Sequence, residues 1–170
     1  KRLYEKRHRD VTYIIDTSGS MGGESIAQAK KALRKALTRL SIADTFNIIE
    51  FNSTANSLFN KSVPATTEAI DQADEFIVGL EAYGGTEMMP ALKMALGATD
   101  EGLNGRLQQI VFITDGAVEQ EEKLFQLIHN QLGERRLFTV AIGSAPNAYF
   151  MRKAAQFGRG SYTFISDTQE

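Results

Sequence analysis

Five side chains in this 170-residue sequence carry hard oxygen atoms at spacings that suit a divalent cation. They are Asp16, Ser18 and Ser20 in "IIDTSGSMGG", Thr86 in "YGGTEMMPALKMAL" and Asp115 in "FITDGA". Each has an ordinary explanation when taken alone. Ser18 or Ser20 can cap a following helix while Gly19, Gly22 and Gly23 ease the turn. Thr86 can be the N-cap of a helix with Pro90 in its first turn, and Asp115–Gly116 can be a plain turn. Taken together, two carboxylates and three hydroxyls form a donor set for an octahedral cation that keeps some of its water.

For those oxygens to meet, the elements before them must end at one edge. Asp16 and Asp115 each close an apolar run, "VTYII" (11–15) and "QIVFIT" (109–114). Similar runs occur at "TFNIIEF" (45–51), "LFTVAIG" (137–143) and "SYTFI" (161–165), and "NSLFN" (56–60) adds a short edge strand. Most are rich in β-branched and aromatic residues with little alternation, as expected of strands covered on both faces. Between them lie helical periods. The clearest joins Ile26, Ala29, Leu33, Ala36, Leu37 and Leu40, and others run through "TEAIDQADEFIVGL", "MPALKMALGAT" and "EKLFQLIHNQL". This order predicts an α/β fold of Rossmann-like type: an open, mostly parallel sheet flanked by helices on both faces, with one short antiparallel edge strand. Strand ends that precede helices then share one rim, where open α/β sheets bind ligands.

Composition narrows the function classes. The chain is 42% hydrophobic and 24% charged with a net charge of −2, which fits one globular domain. That balance disfavours a nucleic-acid or membrane-surface binder, since both need a cationic face. The basic opening "KRLYEKRHRD" reads as a charged lead-in over 1–9, with the domain running from 10 to 170. There is no cysteine, and no apolar run approaches membrane-spanning length. Enzymatic readings are weaker than a binding one. Phosphoryl-transferring hydrolases also place an Asp beside Mg2+, and Asp16 is the residue such a hydrolase would use, but the second Asp expected two residues on is Ser18. His8 and His129 are the only histidines, on the lead-in and a helix, so a serine nucleophile lacks a base. No phosphate-cradling glycine motif occurs.

The pattern Asp-x-Ser-x-Ser, then a distant Thr, then a distant Asp resembles the metal-ion-dependent adhesion site of the von Willebrand factor type A domain family, which includes the inserted domains of integrins. The resemblance covers essentially the whole chain. It implies that Ser18, Ser20 and Thr86 meet the metal and that Asp16 and Asp115 hold it directly or through water. The expected ion is Mg2+ or Mn2+, with Ca2+ less suited. More narrowly, "RDVTYIIDTSGSM", "GGTEM" and "IVFITDGAV" are similar to inter-alpha-trypsin-inhibitor heavy-chain-like proteins and their bacterial relatives, several of which are surface-anchored or secreted.

Hydroxyl ligands leave a cation electrophilic, so a partner's Asp or Glu carboxylate is the natural last ligand. The expectation is a non-enzymatic adhesion module, monomeric, extracellular or on the cell surface, within a longer protein. Tyr83, Met88, Met89 and Glu24 are candidate partner contacts on the rim loops, although Met88 and Met89, an apolar pair near a helix start, read more readily as core than as interface. The resemblance also implies a final helix capped by Ser166 and Asp167, with Gln169 and Glu170 in its first turn. The chain is expected to stop before or within that helix, leaving an apolar groove beside "SYTFI".

Overall fold

The structure is a computed structural model and describes residues 8–97, 105–115, 120–143 and 148–165. Its first strand, β1 (Arg9–Asp16), leads through a single 3-10 turn at Gly19–Met21 into α1 (Glu24–Leu37). There follow β2 (Thr45–Phe51), β3 (Ala55–Ser57), β4 (Val63–Pro64), α2 (Thr67–Val78), α3 (Met88–Gly97), β5 (Leu107–Thr114), α4 (Glu121–Gln131), β6 (Arg136–Ile142), α5 (Ala148–Phe157) and β7 (Arg159–Ile165). The strands form one sheet in the order β3-β2-β1-β5-β6-β7, with β4 also pairing to β2. Pairings among β2, β1, β5, β6 and β7 are parallel, and β3 and β4 run antiparallel to β2. The predicted fold class is therefore the observed one, with two short antiparallel strands in place of one.

Side-chain alternation on β1 explains its uninterrupted apolar run. Val11, Tyr13 and Ile15 face one cluster with Ala29, Leu33 and Leu37 of α1 and Ala69, Ala73 and Ile77 of α2. Ile14 faces the opposite cluster with Ala91, Leu92 and Ala95 of α3, Leu124 and Ile128 of α4, and Phe150, Met151 and Ala154 of α5. A strand with cores on both sides has no position for an exposed polar residue, and period-2 patterning disappears. Chain order reverses at β1, which lies between β2 and β5, so the crevice where the topology switches opens at the carboxyl ends of β1 and β5. Asp16 and Asp115 occupy those two ends.

Some local expectations are corrected. The α1 N-cap is Gly23 at φ 75°, and neither Ser18 nor any other side chain makes a capping bond at the 3-10 turn or at α1. Because α3 starts at Met88, Thr86 lies two residues before it and is not its N-cap; Pro90 is in the first turn as expected. The hydroxyls of Ser18, Ser20 and Thr86 thus have no structural duty as caps of α1 or α3. Met88 is buried in the core, which removes it from the candidate partner contacts, and Met89 packs partly buried beside it. Helix α5 is absent from the sequence expectation. Gly116 of the expected turn, Ala98 and Thr99 at the end of the third expected helix, most of the lead-in, and Ser166, Asp167, Gln169 and Glu170 of the expected last helix lie outside the described residues.

Candidate metal centre

Asp16, the last residue of β1, is fully buried, and both carboxylate oxygens are held. Oδ1 accepts the Ser18 backbone N–H at 2.8 Å, and Oδ2 accepts the Thr114 hydroxyl at 2.6 Å. Burial pushes the Asp16 carboxyl up from its ordinary value; hydrogen bonds from Ser18 and Thr114 pull the other way, and the charge of Asp115 adds to the rise. Asp115, immediately after β5 and half-buried, is therefore close enough to act on Asp16 directly. Ser18 is fully buried, Ser20 is exposed, and their hydroxyl oxygens lie 3.1 Å apart. Ser18 and Ser20 thus aim their oxygens into one place beside the buried carboxylate.

Thr86 reaches the same rim on the 83–87 loop. Tyr83 N–H donates to the Thr17 carbonyl at 2.9 Å, and Gly19 N–H donates to the Gly84 carbonyl at 3.0 Å, so this loop is bonded to the Asp16–Ser20 segment on both strands of the contact. Gly84 has φ 84°, a left-handed conformation that a glycine adopts without strain. Thr86 itself is half-buried. The structure therefore brings Asp16, Ser18, Ser20 and Asp115 to one rim and docks the loop of Thr86 against it.

Four further residues organise the rim and were not singled out by their types. Thr114 holds Asp16, and its position next to Asp115 was the available signal. Thr17, fully buried, has its hydroxyl 3.1 Å from Glu50 Oε2 and 3.2 Å from the Phe51 carbonyl, and accepts Asn52 Nδ2 at 3.1 Å. Asn52 and Ser53, in the turn after β2, receive backbone N–H groups from the 83–87 loop. Nothing in the sequence near Asn52 or Ser53 marks that long-range contact.

As a donor set, two carboxylates and three hydroxyls are all hard oxygens. Among the described residues no three His, Cys, Asp or Glu side chains converge on a point, so any cation would depend on the hydroxyls. A cavity of about 710 Å3 lies at the opposite end of the strands, lined by Asp10, Asn47, Lys93 and Arg135 among others. Its buried polar groups are already used, since Asp10 accepts the Thr45 hydroxyl and Asn47 bonds both backbone groups of Phe59, and the half-buried Arg135 donates to the Leu132, Ala95, Leu96 and Gln131 carbonyls. None of the five rim residues lines it.

The sequence profile of the von Willebrand factor type A domain matches residues 9–164. The chain belongs to that family. Domains of this family generally mediate protein–protein interaction and adhesion. Among its relatives is human inter-alpha-trypsin inhibitor heavy chain H4, 33% identical over 158 residues that cover 86% of this chain and 17% of the relative. A von Willebrand factor A domain-containing protein of Dictyostelium discoideum is 29% identical over 167 residues, covering 98% of this chain and 18% of the relative. The chain thus spans under a fifth of the length of these relatives. Among solved structures, a von Willebrand factor type A protein from Catenulispora acidiphila superposes with a TM-score of 0.83 at 23% identity, covering 94% of this chain and 39% of that one. The pilus adhesin SpaC of Lactobacillus rhamnosus GG superposes at 0.75 with 13% identity, covering 95% and 29%, which shows a shared fold. No described helix is long and apolar enough to cross a membrane.

Proposed function

We propose that this type A domain is a metal-dependent protein-binding module, holding Mg2+ or Mn2+ at the rim and, through it, an Asp or Glu carboxylate of a partner protein. One observation carries the reading: a fully buried Asp16 carboxylate, repelled by Asp115, sits beside two hydroxyls 3.1 Å apart that cap no helix. Such an arrangement is costly in the absence of a cation and is relieved by one. Ser18, Ser20 and Thr86 would bind the ion by their hydroxyls, and Asp16 and Asp115 would neutralise it directly or through water. A bound ion of this kind supplies a Lewis-acidic position for an anionic ligand. The rival phosphoryl-transfer reading needs a second acid-base carboxylate two residues after Asp16, where a serine stands.

An extracellular or surface location within a longer protein fits the similarity to inter-alpha-trypsin inhibitor heavy chain H4. The direct test is isothermal titration with Mg2+ and Mn2+ on wild type, Asp16→Ala and Asp115→Ala. Saturable binding lost in both variants supports the site, and unchanged binding in either sinks it. Chelator-sensitive capture of a partner, with phosphate-ester hydrolysis absent under the same Mg2+, separates adhesion from turnover.

A further inference from the structure

The turn after β2 contains none of the five rim oxygens, yet it brackets Thr86. Gly85 N–H, one residue before Thr86, donates to Ser53 Oγ at 2.8 Å; Glu87 N–H, one residue after, donates to the Asn52 carbonyl at 2.8 Å. Asn52 is itself fixed: it is buried, its side chain donates to Thr17 at 3.1 Å, and its backbone N–H and side-chain Oδ1 both bond Thr54. Packing is tight on the same side, since a Cβ added to Gly84 would come within 2.9 Å of Ser53 Oγ. The 83–87 loop is therefore clamped between the Asp16–Ser20 segment on one flank and Asn52–Ser53 on the other.

We infer that Ser53 is a positioning residue for the metal rim: its hydroxyl, by accepting Gly85 N–H, sets where Thr86 Oγ1 stands relative to Ser18 and Ser20, and so sets cation affinity. This rests on the metal-dependent reading above. Ser53 is exposed, and its removal uncovers no core, so its contribution acts on the geometry of the loop and not on global folding. A hydroxyl ligand misplaced by a fraction of an ångström is replaced by water, which any hydroxyl-rich cation site tolerates at a loss of affinity.

The experiment compares Ser53→Ala, Ser53→Thr, Thr86→Ala and the Ser53→Ala/Thr86→Ala double variant by Mg2+ titration, with amide hydrogen exchange of the metal-free forms. Ser53→Ala should weaken Mg2+ binding roughly two- to tenfold, the range of one neutral hydrogen bond, without moving the metal-free melting temperature. Ser53→Thr, which keeps the acceptor oxygen, should bind as wild type. In the Thr86→Ala background the Ser53 change should have no further effect on affinity, because the ligand it positions is gone. The Gly85 amide should exchange faster in Ser53→Ala and at the wild-type rate in Ser53→Thr. If wild type binds no Mg2+, the metal reading itself falls and this inference with it. If wild type binds and Ser53→Ala binds equally tightly, or weakens binding equally with and without Thr86, the positioning role falls while the metal reading stands.

Discussion

A carboxylate with no exposure to water and a second carboxylate beside it is an unusual thing for a folded domain to keep. Asp16 is tolerated because Ser18 N–H and the Thr114 hydroxyl each satisfy one of its oxygens, but those bonds do not offset burial, and the proton is held more tightly than in an ordinary Asp. Removing the charge while keeping the shape should separate stability from binding. Asp16→Asn is expected to melt no lower than wild type in chelator at pH 7 and to lose all response to Mg2+. A metal-free melting temperature several degrees below wild type would show that the ionised carboxylate is an asset in its own right. Ser18→Ala and Ser20→Ala should each weaken Mg2+ binding less than Asp16→Ala, since water replaces a neutral ligand; titration ranks the three directly. The meeting of these residues at one rim was legible because residue type and order along the chain carry it: a strand-end Asp, two alternate serines, a Gly-preceded Thr, a second strand-end Asp. The supporting shell was not. Thr17, Asn52 and Ser53 act through side-chain and backbone hydrogen bonds to residues distant in sequence, and polar residues in turns are too common to signal such a contact.

Among the secondary-structure elements, the pairing of β6 with β7 is the most demanding. Its register shifts between Leu137 and Thr139, and the chain before and within β7 approaches so closely that a Cβ on Gly158 would meet the Leu137 side chain and one on Gly160 the Leu137 carbonyl. Leu137 is core, so it cannot swing away. Gly160→Ala is therefore expected to destabilise the domain by about 1–3 kcal/mol, the usual cost of overpacking. Urea unfolding monitored by circular dichroism reads this; a cost under about 0.5 kcal/mol would mean that β7 shifts to accommodate the methyl. Four of the five longer strands, β1, β2, β5 and β6, were readable from the sequence because burial writes an apolar run of strand length, whereas the edge strand β7 has no buried residue and was readable from its aromatic and β-branched residues alone. The two-residue β4 carries too few residues to make a pattern, and β3 is Ala55–Ser57 where "NSLFN" was expected, since Leu58 and Phe59 pack against the helix α1 and α2 cluster instead. Helix α5 shows only the pair Phe150–Met151 and the pair Ala154–Ala155 on its buried side, a stripe short enough to pass for the approach to a strand.

Across the whole molecule, the two ends of the sheet respond to protons in opposite senses. At the amino end Asp44 ties the start of β1 to the segment before β2. Burial alone would raise its pKa, but the backbone N–H groups of Ser41 and Arg9, the Arg9 guanidinium and the Ser41 hydroxyl outweigh burial and hold it below the usual carboxylate value. A carboxyl depressed in the folded state contributes stability that is present above its unfolded pKa of about 4 and lost as the pH falls through the folded value. Asp44→Asn should accordingly lower the melting temperature at pH 7 and make little difference at the acid end, where wild type has already lost the contribution. Asp16 at the carboxyl end runs the other way. Raised in the folded state, it favours the fold fully below an unfolded pKa of about 4, and that advantage is lost as the pH rises through its folded value. In chelator the gap between Asp16→Asn and wild type should thus widen from pH 4 towards pH 7, in favour of the variant. Saturating Mg2+ should reverse it, because a ligand that binds only the folded state adds about 2.7 kcal/mol at a hundredfold excess over its dissociation constant, roughly 5–10 °C for a domain of this size. Thermal melts of wild type, Asp16→Asn and Asp44→Asn across pH 4 to 8, each with chelator and with Mg2+, measure both ends in one series. If Mg2+ raises the melting temperature of Asp16→Asn as much as that of wild type, the cation stabilises the domain somewhere other than this rim.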